Sequence, residues 1–93
     1  MELSIRTPKD ISADLAKRAK NIRKRKGYTQ QQLAVRSNVS YGTVKKFEQT
    51  GQIALISLIK IAMELDLTDQ IDALFSGVAY KNIQEVLLDA ENA

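Results

Sequence analysis

The sequence predicts an all-α protein, and three observations carry that prediction. Apolar residues recur at helical spacings of three and four, helix-starting signals stand before most of those runs, and no stretch alternates apolar with polar residues as a half-buried strand would. With 93 residues and 44% hydrophobic content, the chain can bury one modest core. We expect residues 1–77 to form a single domain and residues 78–93 a C-terminal helical extension.

The elements follow from local signals taken in order. In TPKD, Thr7 is placed as an N-cap, Pro8 at the first helical position and Asp10 at the third, near the positive end of the helix dipole. Ile11, Leu15, Ala19 and Ile22 then form one apolar stripe, so a first helix is expected over residues 8–26, stopping at Gly27. Thr29 and Gln32 make a Thr-x-x-Gln capping box, with Tyr28 set to pack on Leu33, for a short second helix over 30–37. Asn38 is expected to end it, because asparagine accepts a left-handed backbone better than any residue but glycine.

Ser40 caps a third helix over 41–49, with Val39 set against Val44 and Phe47 further along the same face; Thr50-Gly51 breaks it. Gly42 falls inside this helix, where glycine weakens it. A fourth helix is expected over 55–65, with Leu55, Leu58, Ile59, Ala62 and Leu65 on one face and Ile56, Ile61 and Met63 off it. Its cap position, Ala54, has no side-chain acceptor. Thr68 caps a fifth helix over 69–75, closed by Gly77, and Asn82 with Glu85 starts a last short helix over 83–90, whose apolar edge is Ile83, Val86 and Leu87.

Composition removes whole classes of function. The chain has no cysteine and no histidine, which excludes disulfides, thiolate chemistry, histidine acid–base catalysis and the usual transition-metal sites. No phosphate loop or convergent acid–base pair is visible either, so neither an enzyme nor a cofactor is expected. The N-terminal MELSIRTPKD lacks an apolar signal core, and the longest apolar region, 53–67, is interrupted by Ser57, Lys60, Glu64 and Asp66, so we expect a soluble cytoplasmic protein with no membrane partner. The net charge of +3 conceals a division: residues 1–51 hold 12 Lys and Arg against 4 Asp and Glu, and residues 52–93 hold 2 against 7. A basic front half suits a polyanionic partner, although a solvated charge run would read the same.

The second and third helices, joined by a three-residue turn, make a helix-turn-helix unit. The run IRKRKGYTQQQLAVRSNVSYGTVKKFEQTGQIALISLIKIAMELDL, residues 22–67, resembles the Cro/CI-like, or XRE-type, helix-turn-helix DNA-binding domains. What carries the resemblance is an ordered string: Arg23, Gly27, Thr29-Gln30, Leu33-Ala34, Val39-Ser40, Val44, and Glu48 followed by Gly51. It implies a five-helix lambda-repressor-like bundle that binds double-stranded DNA as a homodimer, and hence a transcriptional repressor on a palindromic operator.

The resemblance also implies roles for individual residues. The N-terminus of the second helix, with Thr29 and Gln30, points at a phosphate, and the third helix enters the major groove. Tyr41, Gly42 and Lys46 match base-reading positions, Ser40 and Thr43 lie beside the backbone, Lys45 can reach either, and Gln49 shares the outer surface. Lys46 can donate to guanine O6 or N7, and Tyr41 can meet a thymine methyl or donate to a phosphate. Gly42 there either lets the helix approach the bases closely or is a tolerated defect. Arg23 and Glu48 match a structural ion pair tying the first helix to the end of the third.

Two further readings concern protein partners. Ile56, Met63 and Phe75 are the apolar residues expected near a dimer or partner interface. The stretch KKFEQTGQIALISLIKIAMEL is similar to antitoxins encoded beside HipA-type kinase toxins, which implies a possible toxin partner, with repression of the protein's own operon secondary. It departs from that pattern at Ala54, where serine is usual, and at Ile56, where a charged residue is usual. The acidic C-terminal segment reads either as a toxin-binding or dimerising element or as a frayed tail.

Overall fold

The computed structural model describes residues 6–77 and 90–91 of the chain. Five helices follow one another: α1 Pro8–Arg25, α2 Gln30–Ser37, α3 Tyr41–Thr50, α4 Leu55–Glu64 and α5 Thr68–Asp72. No strand occurs among the described residues. Ile83, Val86 and Leu87 lie outside them, as does all of the expected last helix except Ala90, which is helical.

Caps set the helix starts where local chemistry placed them. Thr7 Oγ1 accepts the Asp10 N–H at 3.1 Å, and the Asp10 carboxylate accepts the Thr7 N–H at 3.0 Å. That backbone N–H, helped by the Thr7 hydroxyl, holds the Asp10 carboxyl below its ordinary pKa. Thr29 and Gln32 repeat the same reciprocal pair at 3.0 and 2.9 Å. Asn38 closes α2 in the left-handed region, at φ 57° and ψ 44°, and Gly51 closes α3 at φ 79°.

The core is small and α3 supplies its centre. Phe47 and Val44 meet Leu33 and Ala34 of α2, Ala16 of α1, and Ile61 and Leu65 at the end of α4, all nearly solvent-free. Burying each of the larger side chains stabilises the fold by about 1.5–3 kcal/mol relative to exposure. Because α1 packs on α3, and α2 packs on both α3 and α4, the inward face of α3 is held from two sides and its opposite face is left outside.

Three expectations are corrected. The buried face of α1 is Ala16 and Arg23, with Ala19 and Ile22 packed at its edge, while Ile11 and Leu15 are exposed. The face turned inward is therefore rotated from the apolar stripe, because a buried arginine occupies a core position. In α4, Ile61 belongs to the core and Leu55 is exposed, so the inward face runs through Ile61, Ala62 and Leu65. Finally, α5 is only five residues long: Thr68 is its first residue, Leu67 is the cap without a side-chain bond, and the chain turns at Phe75, which has φ 65°.

Candidate nucleic-acid interface

The outer surface of α3 is built by the same periodicity that fills the core. Val44 and Phe47 turn inward, and this leaves Tyr41, Gly42, Lys45, Lys46 and Gln49 exposed on the other sides. Tyr41 keeps 41% of its surface accessible, and Lys45 Nζ sits 5.7 Å from the centre of its ring, within cation–π range. The pair is spaced i, i+4, so the helix itself brings them together. A Cβ built on Gly42 meets nothing within 4 Å, so the space beside Tyr41 is open.

Ser40 and Thr43 are engaged with one another. Ser40 Oγ accepts the Thr43 N–H at 3.1 Å, and the two hydroxyl oxygens lie 2.7 Å apart. Their first duty is to cap α3; each hydroxyl can still accept or donate one further bond outward. Thr29 is likewise exposed with its hydroxyl spent on the cap of α2.

Gln30 begins α2, beside Thr29, and is half-buried. The N–H groups of Gln30 and Gln31 precede the first intrahelical bond and face no backbone acceptor, which makes this end of the helix electropositive. The Gln30 side chain reaches back to Glu48, donating from Nε2 to Oε1 at 2.9 Å. Glu48 also takes Arg23 Nε at 2.7 Å and Nη2 at 2.9 Å, a bidentate pair whose side chains are 3% and 7% exposed. The expected Arg23–Glu48 pair therefore forms, and it carries Gln30 as a third member.

Two surface features lie beside these residues. The start of α4 has no side-chain cap at Ala54, and it opens on a groove lined by Thr43, Lys46, Gln52 and Ser57. Free helical N–H groups next to a lysine favour an anion there. The absent cap was visible in the sequence; its proximity to Lys46 depends on how α4 packs. Val35 is 82% exposed on α2 and lines a shallow concavity with Gln31, Asn38 and Tyr41. Its signal was available, since Leu33, Ala34 and Ser37 take the inward face of that helix and leave Val35 outside.

Of the expected interface residues, Ile56, Met63 and Phe75 are all exposed, Phe75 the most at 85%. Among the described residues no cluster of acidic, histidine or cysteine side chains could hold a metal, and no helix is long and apolar enough to cross a membrane.

Comparison with known proteins agrees with this geometry. The helix-turn-helix family model HTH_3 matches residues 20–70, which takes in the last part of α1, all of α2, α3 and α4, and the start of α5. No curated protein matches the chain. The matched span covers more than half of the 93 residues and contains the capped α2, the left-handed turn at Asn38 and the exposed face of α3; the chain belongs to the XRE-type helix-turn-helix family and is a DNA-binding transcriptional regulator.

Proposed function

We propose that the protein is a sequence-specific repressor that occupies a palindromic operator as a homodimer, reading bases with the outer face of α3. The observation that supports this is a helix whose inner face, Val44 and Phe47, is wholly buried while Tyr41, Gly42, Lys45, Lys46 and Gln49 stand exposed, next to the free N-terminus of α2. In this reading Lys46 donates to a guanine edge, Tyr41 meets a thymine methyl or a phosphate, and Gln30 with the first N–H groups of α2 holds a phosphate. One unit spans few base pairs, so a second copy on the next helical turn supplies the affinity. The exposed Ile56, Met63 and Phe75 are candidates for that contact. The toxin-binding role is supported by sequence resemblance alone.

Selection of bound fragments from random DNA at a stated salt concentration tests the proposal. The expected product is a two-fold symmetric sequence bound by two chains. A single asymmetric site bound by one chain, or no enrichment at all, would overturn it.

Two substitutions probe α3. Lys46→Ala is expected to weaken operator binding by about 1–3 kcal/mol and to relax preference at one base position, with a smaller loss on random duplex. Equal losses on both, measured by fluorescence anisotropy, would reassign Lys46 to the backbone. Gly42→Ala is expected to stabilise the free protein by about 0.5–1 kcal/mol in thermal denaturation, since helix propensity rises and the new methyl meets no neighbour. Weaker operator binding by this more stable variant would show that the missing side chain allows close approach to the bases; unchanged affinity would make Gly42 a tolerated defect.

A further inference from the structure

Glu48 is half of a buried ion pair and Gln30 opens α2, and the contact between them gives Glu48 a second task. The carboxylate is fixed from one side by Arg23, whose Nε and Nη2 both donate to it while Nη1 donates to the Tyr28 carbonyl oxygen at 2.7 Å. Guanidinium is a rigid planar fork, so its bond to the Tyr28 carbonyl anchors the group and its two bonds to Glu48 leave the carboxylate little freedom. Its charge is matched by Arg23, and Oε1 is turned toward Gln30.

An amide side chain is ambiguous by shape, because its oxygen and its NH2 fill nearly the same space and a free glutamine can present either one outward. The difference matters at a phosphate, which only accepts hydrogen bonds. An ionised carboxylate also only accepts, so it can bind the Gln30 nitrogen and not the Gln30 oxygen. Contact with Glu48 at 2.9 Å therefore decides which way round the amide stands. One hydrogen on Nε2 goes to Glu48. The other has no acceptor among the described residues, and it lies at the same end of α2 as the free first-turn N–H groups.

We infer that Glu48 is a positioning residue for DNA-backbone recognition: its carboxylate holds the Gln30 amide with nitrogen inward, so that the remaining N–H is shared between the end of α2 and a phosphate. The inference rests on the reading of Gln30 as a phosphate contact. It makes the ion pair more than a staple, since the carboxylate through which Arg23 ties α1 to α3 also sets the chemistry of the α2 terminus. The Glu48 charge does not repel the phosphate at close range because Arg23 neutralises it.

A double-mutant cycle on the full chain tests this, using Gln30→Ala, Glu48→Gln and the pair, each checked as folded by circular dichroism at the assay temperature. Glu48→Gln keeps the volume but can donate, so it frees the Gln30 amide to turn over. Gln30→Ala is expected to weaken binding to operator and to random duplex alike, by about threefold to tenfold, the worth of one hydrogen bond. Glu48→Gln is expected to weaken both by a similar factor in the parent chain and to have no further effect once Gln30 is alanine. If Glu48→Gln weakens binding equally in both backgrounds, it acts through the fold and the positioning role is wrong. If Gln30→Ala leaves binding unchanged, the phosphate reading of Gln30 has failed instead. A measurement on the unsubstituted protein stands beside the cycle should Glu48→Gln fold poorly. In NMR spectra of the free protein, the two Gln30 side-chain amide protons should differ strongly in shift, and adding random duplex should move only the one not bonded to Glu48. Loss of the Glu48-bonded signal on adding DNA would show that the amide rotates, and would overturn the inference.

Discussion

Gly51→Ala is expected to destabilise the protein by about 2–5 kcal/mol, a large share of the roughly 5–15 kcal/mol that holds a small domain folded. Two effects add. Gly51 caps α3 with φ 79°, a left-handed conformation that costs an L-residue about 1–2 kcal/mol. A Cβ at this position would also stand 2.6 Å from the carbonyl carbon of Ser12, 2.7 Å from its oxygen and 2.8 Å from its Cβ. Those are mostly backbone atoms in α1, which cannot swing aside as a flexible side chain would, so the overpacking adds about 1–3 kcal/mol.

Gly27→Ala supplies the control for that estimate. Gly27 has the same φ of 79°, but a Cβ there meets nothing within 4 Å. Both substitutions change the unfolded chain in the same way, so that contribution cancels when they are compared. Gly27→Ala should lose only the backbone penalty, about 1–2 kcal/mol. Urea denaturation with unchanged slope measures both. Equal losses for the two variants would mean that α1 does not press on α3 at Ser12.

How much of this could be read beforehand depends on the range of the interaction. Thr7, Thr29 and Ser40 were placed as caps, and Asn38 as a left-handed stop, from bonds that span three or four residues; the structure has each of them. The inward face of α1 departs from its apolar stripe for the opposite reason. Hydrophobic periodicity assigns an arginine to solvent, and nothing near Arg23 in the chain says otherwise. Its partner Glu48 lies 25 residues away, and the close approach of Gly51 to Ser12 pulls the same side of the helix inward. The family pattern supplied the ion pair that periodicity could not. Neither supplied the bond from Gln30 to Glu48, because an exposed-looking glutamine at a helix start has many ordinary uses. On α3 the exposed residues were legible, since they are what remains after Val44 and Phe47 are buried.

Arg23→Met is expected to cost about 3–5 kcal/mol, most of it from the charge it leaves behind. Glu48 would remain deep in the structure with Gln30 as its one remaining donor, and the Tyr28 carbonyl would lose the Nη1 bond. The size of the loss should not be read as the worth of the pair. Removing both charges, as Arg23→Met with Glu48→Leu, replaces a desolvated ion pair by apolar groups of similar volume, which is commonly neutral or stabilising. Denaturation of the two single variants and the pair should therefore show the double variant recovering most of the stability that Arg23→Met loses. A double variant no more stable than the single would place the loss in packing around the guanidinium. The recovered protein would still differ from the parent in one respect: with no carboxylate at position 48, the Gln30 amide is unheld, so the double variant should fold well and bind any duplex more weakly. Stability and backbone recognition, joined in the parent chain by three side chains, would then have been separated.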